Sequence, residues 1–480
     1  MFALILLLFI TTRFAALVQD NQTVIPPGQI VDKVVCAGVA NQSYALYLPT
    51  NYVSTRKWPV LYAFDPGARG RVPVERFKEA AEKFGWIIVG SNNSRNASFQ
   101  SSIDSWNAMT RDTAERFSLE DGRFYAAGFS GGARASLMLA TQCKDCLAGV
   151  IAGGAGFPEG IEPAATMHFA LFLTAGVDDF NFAEIKLLDE PLNRAGVTHR
   201  IETHPGRHEW EPSSVALDAV AWMELLAMKS GRRERDVSFI DVWWNAKLKQ
   251  AHDLEAAKSF YDAYQIYLEL SLSFKGLRDV AEAETKTSEL RNSREVREAI
   301  RDEQQQIKKQ REFEGQIAGL IAASSRIRIK DAGSDSNGGT NDNAVDADTR
   351  LHVLFRELSR QTKAEQDTAT RRIARRVLEG QYIGLFEKGR DLLQTQKRYE
   401  EAVRLFTLAT EVEAERAGAF YYLAWAYGAK GDKKRSLRAL QTAVDKGFSD
   451  AAALESNKGF DSVRDDPQYQ KILGALKVRR

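Results

Sequence analysis

Three kinds of residue far apart in this chain could together open a carbonyl compound: Ser130, an aspartate at 178 or 179, and His208. A serine hydroxyl is a weak nucleophile until an imidazole can take its proton. The imidazole does this best when its other nitrogen is held by a carboxylate. Such a set performs acyl transfer: the serine attacks, a tetrahedral oxyanion forms and collapses to an acyl-enzyme, and water releases the acid. The oxyanion needs waiting N–H donors. Gly131, next to the nucleophile, offers one. Ala68 is the first choice for the other and Gly67 the second, both in Phe64-Asp65-Pro66-Gly67-Ala68-Arg69-Gly70.

The elements that must position these groups can be read around them. Gly128-Phe129-Ser130-Gly131-Gly132 follows the apolar run Arg123–Ala127 and precedes a helical stretch from Ala133 to Ala140. Strand, tight turn and helix in that order make a nucleophile elbow, in which the glycines leave room where strand and helix backbones nearly touch. Thr174-Ala175-Gly176-Val177-Asp178-Asp179 closes the apolar run Phe169–Leu173. His204-Pro205-Gly206-Arg207-His208-Glu209-Trp210 follows Thr198–Thr203. From Gln42 to about Lys229 short apolar runs alternate with helical ones, which predicts an α/β fold, a doubly wound and mostly parallel sheet. Trp58–Phe64 and Trp86–Gly90 read as strands buried on both faces, and Ser43–Pro49 as an antiparallel edge strand. Ligands of such sheets bind at the carboxyl ends of the strands, where all three groups fall. The order Ser, acid, His is that of α/β-hydrolases. The loop Gly90–Ala97 also ends a strand and borders the same cleft. There Arg95 is the candidate to bind an anionic substrate group, and Asn93 and Asn96 read as turn formers.

On Gly128–Arg134, Gly176–Asp179 and Gly206–Trp210 the region from Val31 to Lys229 resembles a secreted α/β-hydrolase of the esterase group. That group includes polyhydroxybutyrate depolymerase-like, feruloyl esterase-like and dienelactone hydrolase-like proteins. The resemblance implies Asp179 as the acid instead of Asp178, His208 as the base instead of His204, and carboxylic esters as substrates. The His-Gly that often opens the oxyanion loop in this group is replaced by Asp65-Pro66-Gly67.

The 480 residues carry a net charge of +1, so no global electrostatic attraction to nucleic acid is expected. Residues 1–20 read as a signal peptide, with an apolar run from Phe2 to Ile10 too short for a membrane span. Export to the periplasm or outside follows, with no stable membrane insertion once the signal is removed. Cys143 and Cys146 are spaced for a local disulfide, and Cys36 reads as a small buried hydrophobe.

Beyond the hydrolase region, 31–229, glycine and proline thin out and helices are predicted over 238–329. Residues 330–348 read as a flexible loop. In 349–480, Phe386, Ala402, Phe406 and Ala409 recur 34 residues later as Phe420, Ser436, Leu440 and Ala443, with Lys397 matching Gly431 at the turn. This segment resembles tetratricopeptide repeats, which implies a surface for a protein partner.

The sequence thus predicts an exported serine esterase acting on a small-molecule or polymer ester. Ser130, His208 and Asp179 do the chemistry, Gly131 and Ala68 hold the oxyanion, and no metal or organic cofactor is required. A serine peptidase, and an inactive hydrolase fold that binds proteins through its helices, are the alternatives.

Overall fold

The computed structural model describes residues 25–96, 99–331 and 341–478. Its first part is one eight-stranded sheet: β1 (Ile30–Cys36), β2 (Val39–Tyr47), β3 (Trp58–Phe64), β4 (Ile87–Ser91), β5 (Leu119–Phe129), β6 (Gly149–Gly153), β7 (Ala170–Gly176) and β8 (His199–His204). The spatial order is β1-β2-β4-β3-β5-β6-β7-β8. β2 pairs antiparallel with β1 and β4, and every other pair is parallel. This is the α/β-hydrolase fold.

β3, β4, β6 and β7 are buried along their whole lengths, because helices cover both faces of the sheet. Alternate residues therefore enter different cores. Leu61, Ile88, Ala127 and Phe172 pack with α1 (Arg71–Phe84) and α6 (Ser213–Lys229). Val60, Val89, Ala126 and Leu171 face α2 (Phe99–Arg116), α3 (Gly131–Gln142), α4 (Phe182–Leu187) and α5 (Asp189–Ala195). The edge is β1 and not β2, which corrects the sequence expectation. β1 exposes Asp32 and Lys33, charges that discourage a further strand from pairing there. Cys143 and Cys146 form a disulfide just after α3, and Cys36 is buried at the end of β1.

The rest is helical: α7 (Val237–Ala256), α8 (Phe260–Ser273), α9 (Ala281–Asn292), α10 (Arg294–Asp331), α11 (Asn341–Thr362), α12 (Ala369–Gln394), α13 (Tyr399–Val412), α14 (Ala417–Lys430), α15 (Lys433–Asp445), α16 (Ala451–Ser456) and α17 (Pro467–Val478). Helix takes both ends of the predicted flexible loop, as α10 runs to Asp331 and α11 starts at Asn341; residues 332–340 lie outside the described residues. The predicted signal peptide lies outside them too. Two apolar cores hold these helices, one joining α6 to α7–α10 through Trp243, Trp244 and Tyr267, the other running from α10 to α17. Small residues set the close approaches: a Cβ on Gly389 would come within 2.9 Å of the Phe406 ring, and Ser436 donates to the Ala424 carbonyl. Lys397 and Gly431, 34 residues apart, both turn with left-handed backbone (φ 58° and 87°). Among the described residues no helix is long and apolar enough to cross a membrane.

Candidate active site

Ser130 stands between β5 and α3 with φ 54° and ψ −119°, a strained conformation for a residue with a side chain. Crowding explains why glycine flanks it. A Cβ on Gly128 would lie 2.1 Å from the Gly132 carbonyl oxygen, and one on Gly132 would lie 1.9 Å from that of Phe64. The turn leaves Ser130 half-buried at the N-terminus of α3, where helix N–H groups lack helical acceptors.

The loops after β7 and β8 bring the other two groups to it. His208 Nε2 lies 2.9 Å from Ser130 Oγ, and its Nδ1 lies 2.9 and 3.0 Å from the two oxygens of Asp179. Asp179 is fully buried and also accepts the Asn181 N–H at 2.7 Å. With its carboxylate accepting from Nδ1–H, Nε2 is left free to accept the serine proton. The rings of Phe180 and Phe129 flank the imidazole with centroids at 4.1 and 4.6 Å. Asp178 and His204 are not part of this cluster. Asp178 pairs with Arg375 of α12 at 2.9 Å, and His204 is buried beside the Pro205 carbonyl.

The loop after β3 is organised by Asp65. Its buried carboxylate accepts from Gly67 N–H (2.8 Å), Arg69 Nε (2.8 Å) and Nη2 (2.9 Å), and Trp210 Nε1 (2.9 Å). Burial pushes this carboxyl up, but those donors together hold it below the usual carboxylate range. Asp65 thereby ties the loop to Trp210, two residues from His208. The first and second choices for the oxyanion donor from this loop have other uses: Ala68 N–H closes a turn on the Asp65 carbonyl at 3.1 Å, and Gly67 N–H is held by Asp65 Oδ1.

Ser130 opens on a cleft of about 590 Å³. Pro66, Arg95, Asn96 and Phe180 line one wall, while Ile383, Glu387, Arg390, Asp391 and Gln394 of α12 line the other. Arg95 is exposed at the rim, and Arg134 is forked to Glu184 at 2.9 Å. The α12 wall is unforeseen in the sequence, because its docking depends on contacts nearly 200 residues apart. Arg376 donates to the Val177 carbonyl and lies 3.7 Å from the Phe182 ring centroid. Gly380 lets the helix rest on Phe180, and Glu379 meets Arg207 and Arg416. From α10, Gln310 donates to the Phe180 carbonyl at 2.8 Å. Among the described residues no cluster of three His, Cys, Asp or Glu side chains could hold a metal ion.

An α/β-hydrolase fold carrying serine, histidine and aspartate in hydrogen-bonded sequence at its strand ends is thus the class that fold and site define. No protein-family profile matches the sequence, and no curated protein does. Solved structures do match, over the N-terminal part. A ferulic acid esterase is 17% identical with TM-score 0.34, covering 41% of this chain and 97% of its own. The S954A mutant of the feruloyl esterase module from Clostridium thermocellum, complexed with sinapinate, is 16% identical with TM-score 0.34 and coverage of 41% and 88%. Est1E from Butyrivibrio proteoclasticus is 12% identical with TM-score 0.33 and coverage of 42% and 99%.

Proposed function

We propose that the protein is a serine hydrolase of carboxylic esters. Ser130 attacks the ester carbonyl as His208 takes its proton. Asp179 steadies the imidazolium, and the Gly131 N–H stabilises the oxyanion. His208 then returns the proton to the leaving alcohol, and water, activated by the same imidazole, frees the acid. The observation that carries this reading is the position of His208, within 3 Å of both the hydroxyl and the carboxylate. In the same reading residues 1–20 direct export, Arg95 meets an anionic part of the substrate, and the paired helices α12–α15 are tetratricopeptide-like repeats. α12 doubles as a wall of the cleft.

A fluorophosphonate probe tests the chemistry. Labelling of the wild type that disappears in Ser130→Ala is expected, with ester turnover in that variant falling by at least about 10⁴-fold. Peptide substrates beside p-nitrophenyl esters of graded length separate esterase from peptidase. The committed N–H groups of Gly67 and Ala68 favour the second reading, an inactive fold that binds proteins. A well-folded wild type that takes no label would support it.

A further inference from the structure

The esterase reading needs a second donor for the oxyanion, and the loop after β3 has none to give. Among the described residues only Pro66 of residues 65–70 lines the cleft, and proline has no N–H. The N–H groups of Gly67 and Ala68 already have acceptors in Asp65.

The neighbouring loop, after β4, occupies the place. Gly67 and Arg95 form an isolated backbone bridge, and Asn96 N–H donates to the Pro66 carbonyl at 3.0 Å. This anchors Asn96 so that its side-chain amide lies on Gly131, the residue whose N–H is the first donor. A Cβ built on Gly131 would stand 1.7 Å from Asn96 Oδ1 and 3.0 Å from Nδ2. Among the described residues of this loop the neighbouring backbone N–H groups are taken: Ser94 N–H by Ser91 Oγ at 3.0 Å, and Arg95 N–H by Ser101 Oγ at 3.4 Å. Ser94 and Ser102 hydroxyls pair with each other at 2.8 Å. The Asn96 amide has no hydrogen bond to any described residue, and it lines the cleft beside Ser130.

Resting on the esterase reading, we propose that the Asn96 side-chain NH₂ is the second oxyanion donor, a task usually left to backbone. Asn96 is exposed at the cleft, and a neutral amide directed at a developing alkoxide stabilises it as a main-chain N–H does. The placement also gives position 131 a reason to be glycine, since a side chain there would strike the Asn96 amide.

The test is ester hydrolysis by wild type, S130A, N96A, N96D and R95A, with thermal unfolding to verify folding. For N96A, kcat is expected to fall about 10²–10³-fold with KM changed by less than about threefold. N96D keeps the oxygen that packs on Gly131 but loses the donor, and is expected to fall at least as far. A trifluoromethyl ketone, whose adduct carries the oxyanion, is expected to lose affinity for N96A in parallel with kcat. Full activity in N96D would mean that the residue only packs, and overturns the assignment. So does N96A within about threefold of wild type, or a loss confined to R95A. Turnover abolished in S130A but kept in N96A sinks the donor alone. A wild type with no Ser130-dependent turnover sinks both the donor and the esterase reading.

Discussion

Glu211, three residues beyond His208, is fully buried and one of its oxygens has no partner; the other lies 3.5 Å from Thr174 Oγ1. Burial pushes its carboxyl up from 4.5 to about 7. A raised carboxyl pKa means that the folded chain holds the proton where the unfolded chain has lost it. Stability therefore falls as pH rises from about 4.5 to 7, and the penalty is complete above 7. Glu211→Gln is expected to stabilise the protein by roughly 3 kcal/mol at pH 8 and to change little at pH 5. Urea unfolding of both proteins at the two pH values checks this. At this scale the sequence reveals types and strand ends, so Ser130, Asp179 and His208 stand out in it. It does not reveal Asp65 as an anchor for Trp210, nor the use of Asn96, because both depend on loops from different strands meeting. Only the resemblance picks Asp179 over Asp178 in the sequence; that Asp178 is taken by Arg375, on a helix far along the chain, is visible only in the structure.

Among the elements, α12 joins the two regions through the loop after β7. Arg376 is buried, donates to the carbonyl just before Asp178 and Asp179, and stacks on Phe182. Arg376→Ala is expected to cost about 2 kcal/mol. It should also speed amide hydrogen exchange across residues 177–182 and lower kcat more than it raises KM, since the loop it steadies carries the acid. Unchanged exchange in that loop would contradict the positioning role. Between α12 and α13, Gly389→Val should drive a side chain into Phe406 and destabilise the helical region by about 1–3 kcal/mol, measured by thermal unfolding. Helices were legible from composition and from the 34-residue echo. Their docking was not, because the surface they meet is built from loops with no period. β1 was missed for a related reason: Asp32 and Lys33 interrupt its apolar alternation, as suits an edge.

For the molecule as a whole, the hydrolase region and the helices share buried surface. Ala221, Leu225 and Met228 of α6 belong to one apolar core with Ile240, Trp243 and Trp244 of α7. A chain ending after α6 would leave that face of the helix to water. Residues 25–231 expressed alone are expected to bind a hydrophobic dye and to self-associate on size exclusion, where the full chain does not. A monomeric, dye-silent fragment would show that the two parts are independent. The mostly parallel sheet follows from local patterning but its strand order does not, and for a boundary near Lys229 the sequence offers only the thinning of glycine and proline. Interdependence across that boundary arises only when the pieces are folded together.

The cleft is shared between two parts of the chain that lie far apart in sequence. Ile383, Glu387, Arg390 and Gln394 recur at helical spacing on one face of α12, opposite the serine and far from it in sequence. If the proposed esterase activity holds, substitution along that stripe is expected to redraw which esters are admitted while leaving Ser130, His208 and Asp179 untouched. Selectivity and reactivity are thereby open to separate adaptation.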